Sequence, residues 1–149
     1  MFEIIKAQMA SSLPFVAYTG IAVVEVASGR AVCALDQRQE VSNHIGSMHA
    51  GALFTLGESA SGAAMSGAFA TQIMSIRPIA TGATIAYSKV AKGRIVATAI
   101  VDAPVETLLT ALEAEGRTQF DVSVTLANGE GETVATMSVG WLVSKRPAA

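Results

Sequence analysis

Hydrophobic positions along this chain change their period several times, and each change predicts an element. Phe2, Ile5 and Met9 share one side of a short amphipathic helix over residues 2–12, which Pro14 should end. "TGIAVVEVASGRAVCALD" predicts two strands, about 20–26 and 30–36, joined at Ser28-Gly29. "QRQEVSNHIGSM" is polar and aperiodic, and so a loop. Residues 50–68 then predict one long helix. Apolar and small residues occur on all its sides, so it is expected to be buried all round, with Ala and Gly admitting a closely curved sheet. Four strands should follow. "ATGATIAYSKVAK" leads through the Lys92-Gly93 turn into "RIVATAIVDAP", and residues 117–145 read as strand, "NGEG" turn and strand. Phe120, Val122, Val124 and Leu126 share one face of that hairpin. The piece between, "VETLLTALEAEG", has helix-like spacing and a stop at Gly116. The predicted class is α+β, with about six antiparallel strands around one central helix in a single domain, 1–149.

Composition adds a constraint on the surface. Of 149 residues, 51% are hydrophobic and 15% charged, which excludes a disordered chain. It is also lean in charge for a fully wetted monomer, so a homo-oligomer is expected. A net charge of −2 points away from nucleic acid and anionic membranes. The one cysteine, Cys33, allows no intramolecular disulfide and no cysteine-rich zinc site, and should be a small hydrophobe on a strand. Glu3 and Lys6 interrupt any signal-peptide pattern, and Glu58 argues against a membrane span at 50–69. A soluble, cytoplasmic protein is expected.

The candidate chemistry lies in "NHIGSMHAGALFTLGESASG", residues 43–62. Asn43, His44 and His49 fall in the loop or at the helix start. The N–H groups of Ala50, Gly51 and Ala52 are orphan donors at the positive end of the helix, suited to polarising a carbonyl. Glu58 is a lone acid in an apolar helix, and an unpaired buried carboxylate is costly. Eight residues separate it from Ala50, about 12 Å along the axis, too far for one chain to bring both to one carbonyl. If both act on one substrate, Glu58 must come from a second subunit whose helix runs antiparallel. The spacings of His44 and His49 to each other and to Glu58 match no helical metal-ligand pair.

Asn43, the "HAG" at 49–51 and Glu58 resemble the motif of hotdog-fold acyl-CoA thioesterases of the phenylacetyl-CoA and 4-hydroxybenzoyl-CoA type. In those families a histidine follows an Asn or Gln by six residues and precedes an acid by nine, as here. The resemblance extends to the order of elements over nearly the whole chain. It implies a hotdog fold and thioester hydrolysis, with no cofactor beyond the coenzyme A of the substrate. It also assigns roles. The Ala50 N–H, helped by Gly51, polarises the thioester carbonyl. Asn43 orients the carbonyl or the water, and His49 positions the helix start. Glu58 of the partner chain is general base or nucleophile. Two positions depart from the family pattern: Ala50 replaces a glycine, and Gly62 stands where some relatives have a water-holding Thr, leaving Ser59 and Ser61 as nearby hydroxyls. Lys89, Lys92 and Arg94 are candidate contacts for the phosphates of coenzyme A. Met48 and Met65 are expected in the core or the acyl pocket. Two rival readings are a non-catalytic acyl-CoA or acyl-carrier-protein binding module, and a hydroxyacyl-thioester dehydratase using His44 or His49.

Overall fold

The computed structural model describes residues 1–148 of the chain. Its N-terminus forms α1 (Phe2–Ser12) and then α2 (Pro14–Thr19). Pro14 closes the first helix as expected but also opens a second. It occupies the first helical turn of α2, where a missing N–H has no partner to lose. The hairpin β1 (Ala22–Ala27) and β2 (Arg30–Leu35) follows. After the loop comes α3 (Ala50–Ala68), then β3 (Ile76–Tyr87), β4 (Ile95–Val101), α4 (Val105–Glu115), β5 (Arg117–Ala127) and β6 (Thr133–Lys145). The segment at 105–115 is therefore a helix, ended by Gly116 in the left-handed region at φ 74°.

All six strands form one antiparallel sheet in the order β1-β2-β4-β5-β6-β3. This corrects one expectation. Strands β3 and β4 do not join through a tight turn at Lys92-Gly93. Instead β3 stops at Tyr87, residues 88–94 cross the sheet, and β3 pairs with β6 from Ile76–Lys145 to Tyr87–Ala135. Alternation along "ATGATIAYSKVAK" reports a strand; it carries no information on which neighbour receives its hydrogen bonds. Strands β1 and β3 are the free edges.

The sheet curls round α3, and small helix residues set the separation. A Cβ on Gly67 would lie 2.0 Å from the Ala27 carbonyl oxygen, and one on Gly57 2.6 Å from Met137 Sδ. At Gly67 the obstacle is backbone. Gly67→Ala should destabilise the fold by about 3 kcal/mol or more, read from the urea midpoint, because the helix must leave the sheet to fit one methyl group. The core joins Leu56, Ala60 and Phe69 to Leu35, Ile95, Val122, Leu126 and Val139. Burial of α3 is not uniform, contrary to expectation. Gly51 and Phe54 are exposed and Glu58 is half-buried, whereas residues 59–68 are buried throughout. Cys33 is fully buried, and that burial pushes its thiol up to about 12, so it carries no thiolate at neutral pH. No helix among the described residues is long and apolar enough to cross a membrane.

Candidate active site

The first half of the site is the start of α3. His49 holds the N-cap in extended backbone, φ −60° and ψ 141°, and its Nδ1 accepts the Gly51 N–H at 2.8 Å. The Ala52 and Leu53 N–H groups both reach the His49 carbonyl, at 2.9 and 3.0 Å. Gly51 is thus already engaged, and its expected help to a bound carbonyl would require giving up the cap. The Ala50 N–H has no acceptor among the described residues, and Ala50 is exposed. Ala50 lines a cavity of about 330 Å³ together with Asn43, Leu53, Tyr87, Ser88 and Lys89 among others.

Asn43 stands on the same cavity, mainly as the organiser of its loop. Its Oδ1 accepts from the Ile45 and Ser47 N–H groups at 3.1 and 3.0 Å, and its Nδ2 donates to Ser47 Oγ at 2.8 Å. Both acceptor lone pairs are therefore occupied and one Nδ2 hydrogen is left. Tyr87 belongs to this half too, its hydroxyl donating to the Ala50 carbonyl at 3.1 Å. Sequence reasoning missed Tyr87 and Ser88. Their approach to residue 50 depends on how β3 ends, for which no local signal exists.

The second half surrounds Glu58. No salt bridge among the described residues includes it. Burial among apolar groups raises its carboxyl above the ordinary glutamate range. It opens on a cavity of about 470 Å³ together with Ser59, Gly62, Met65 and Trp141, with Leu13, between α1 and α2, and Phe15 of α2 also in its wall. Ser61 is fully buried and turned to structural work. Its hydroxyl donates to the Glu58 carbonyl at 2.7 Å and accepts from Trp141 Nε1 at 3.2 Å. The two cavities share no lining residue. Within one chain Asn43 and Ala50 come together, as do Glu58, Ser59 and Gly62, but the two groups stay apart.

The remaining candidates divide. Lys89 is ion-paired with Glu132, whose carboxyl that hydrogen bond holds below its usual range. Arg94 Nη1 reaches both oxygens of Asp36 at 2.9 and 3.1 Å. Lys92 has no ion pair among the described residues. All three sit beside the first half-site or just beyond it. His44 is an exposed loop residue, and among the described residues no group of His, Cys, Asp and Glu is arranged to hold a metal. Met48 is buried beside the first cavity and Met65 beside the second.

Comparison with known proteins agrees with this architecture. A family described as Domain of unknown function (DUF4442) matches residues 2–143. A Pseudomonas aeruginosa protein of unknown function, described as a probable thioesterase, superposes with a TM-score of 0.85 at 27% identity, covering 98% of this chain and 97% of that one. A thioesterase family protein from Silicibacter pomeroyi gives 0.79 at 20% identity, over 98% and 100% of the chains. A mutant of the phenylacetic acid degradation protein PaaI from Thermus thermophilus gives 0.69 at 22% identity, over 88% and 98%. No curated protein matches the chain. The fold is the hotdog fold of these thioesterase-type structures.

Proposed function

The chain belongs to the family described as Domain of unknown function (DUF4442), and on that footing we propose that it hydrolyses acyl-CoA thioesters at sites shared between two copies of itself. One observation carries the reading. The free Ala50 N–H and the half-buried Glu58 stand on separate cavities of one chain, and each lacks what the other offers. An antiparallel second copy would complete both sites at once. The free edge of β3 supports such pairing. From Pro78 to Tyr87 it carries no charged residue, and most of it is exposed, which leaves the edge undefended against a second β3.

In this reading the thioester carbonyl oxygen accepts the Ala50 N–H at the positive end of α3. Glu58 of the second copy takes a proton from water as the water oxygen attacks the carbonyl carbon. The resulting oxyanion is held by the same N–H. Its collapse breaks the C–S bond, the thiolate takes the proton back, and a carboxylic acid and free coenzyme A thiol result. Asn43 offers its remaining Nδ2 hydrogen to carbonyl or water. The coenzyme A arm leaves past Ser88 towards Lys92, while Lys89 and Arg94 would first have to release Glu132 and Asp36.

The experiment pairs a screen of short, long and aromatic acyl-CoAs with subunit mixing. Ala50→Pro and Glu58→Gln subunits, each nearly inactive alone, should recover on equal mixing to about a quarter of wild-type activity. Half the dimers would be mixed, each with one intact site. No recovery despite confirmed subunit exchange would refute shared sites. Tight acyl-CoA binding without turnover would select a binding module instead.

A further inference from the structure

We propose that the cavity beside Glu58 receives the acyl group, and that Ser59 gives it preference for an otherwise apolar acyl group bearing a hydroxyl or keto oxygen near the thioester. The inference rests on the hydrolase reading for the position of the scissile carbonyl. If Glu58 acts on a thioester held by the other copy, the acyl side of that thioester enters the cavity that Glu58 itself lines. The coenzyme A side stays with the helix start of the first copy.

The cavity suits such a group. Its volume of about 470 Å³ lies within the range of small-molecule pockets. Its wall is largely apolar: Leu13 between the two N-terminal helices, Phe15 from α2, Met65 from α3, Pro78 from β3 and Trp141 from β6. The Trp141 N–H is already bonded to Ser61, so the indole shows this space no free donor. Gly62 forms part of the wall, and a Cβ built there meets only the Trp141 ring, at 3.6 and 3.7 Å. That is ordinary contact. The helix backbone does not demand glycine at 62, and what its missing side chain leaves is room.

Ser59 makes the cavity selective. It is 3% exposed, and its Oγ is the one buried side-chain polar atom without a hydrogen bond among the described residues. Thr55 and Ser61 of the same helix escape this by bonding back to the Gly51 and Glu58 carbonyls, at 2.8 and 2.7 Å, whereas Ser66, a second hydroxyl on this cavity, makes no side-chain hydrogen bond among the described residues. Ser59 does not bond back either; it lines the cavity with its Oγ closed off from solvent, so the side chain must turn about χ1 to present that hydroxyl to a ligand. An orphan hydroxyl in an apolar wall is costly until a ligand oxygen meets it. A site that hydrogen-bonds one substrate oxygen also discriminates strongly against the analogue lacking it. Because Ser59 and Glu58 line the same cavity, the oxygen that Ser59 meets is placed within the first few carbons of the acyl group.

The test compares octanoyl-CoA with its 2-, 3- and 4-hydroxy derivatives, and with acetyl-CoA, on wild type, Ser59→Ala, Ser59→Thr, Gly62→Ala and Gly62→Leu. Thermal melting checks that each variant is folded. Wild type should favour at least one hydroxy derivative over octanoyl-CoA by tenfold or more in kcat/KM. Ser59→Ala should bring that ratio to about one, and Ser59→Thr should keep most of it. The octanoyl-to-acetyl ratio should fall stepwise from Gly62 to Ala to Leu, at least tenfold in all. A wild type indifferent to the hydroxyl, a preference surviving Ser59→Ala, or chain-length ratios untouched at residue 62 would overturn the proposal while leaving the hydrolase reading in place. If wild type cleaves none of these thioesters and none of the short, long and aromatic acyl-CoAs of the wider screen, the hydrolase reading falls by itself. The same ratios, taken as dissociation constants of the intact acyl-CoAs by calorimetry, then decide the pocket by the same criteria.

Discussion

Replacing Ala50 with proline should lower thioester turnover by about 10²–10³-fold, the effect of removing one oxyanion donor, with little change in stability. Ala50 is the first residue of α3, the helical position at which proline is favoured. The residue before a proline must be extended, and His49 already is, at φ −60° and ψ 141°. The substitution therefore deletes a backbone N–H that serves no protein acceptor. Ala50→Gly keeps the N–H and should keep the activity. Steady-state kinetics on both variants, with urea melts alongside, make the comparison. Turnover by Ala50→Pro within a few-fold of wild type would remove the helix start from the mechanism.

Glu58→Gln should cost about 10²–10⁴-fold in kcat, the usual contribution of a general base, and should stabilise the protein at neutral pH. Burial disfavours the ionised carboxylate, so the folded chain holds this proton more tightly than the unfolded chain does. The stability linked to that proton is complete below the unfolded-state pKa. It is lost as pH rises through the raised folded-state pKa. The glutamine variant has no such loss, so its advantage should be greatest above the folded-state pKa and should vanish under acid conditions. Activity follows the opposite limb. Only the ionised carboxylate can take a proton from water, so kcat/KM of the wild type should fall on acidification at a pH above that of an ordinary glutamate. Melts of both proteins across pH 4 to 8, beside the wild-type rate profile, test both signs. A stability difference independent of pH would show that burial of the charge is not its cause.

His49 illustrates how little a residue type says about its task. Both histidines lie in the stretch that resembles a catalytic motif, yet the His49 ring nitrogen caps its own helix and His44 is exposed. His49→Ala should lower stability by about 1 kcal/mol through loss of that cap, and His49→Asn should restore most of it. Asn43 is similar, since the side chain that faces the cavity also ties residues 45 and 47 into the loop.

Legibility in the sequence varied with how local each property is. The span of α3, the hairpin at residues 117–145 and the burial of Cys33 all follow from period, turn residues and hydrophobicity, and the sequence by itself determined them. So did the eight-residue interval from Ala50 to Glu58, because helical rise is set by backbone geometry. Tertiary structure alone decided that β3 joins β6 rather than β4, since a strand's pattern names a face and not a partner. It also decided that the Gly51 N–H is taken while the Ala50 N–H is left, that Tyr87 arrives beside them, and that Ser61 is satisfied where Ser59 is not. Each of these depends on where a hydrogen-bonding partner lands or fails to land, and the fold, not the spacing of residues, brings such partners together.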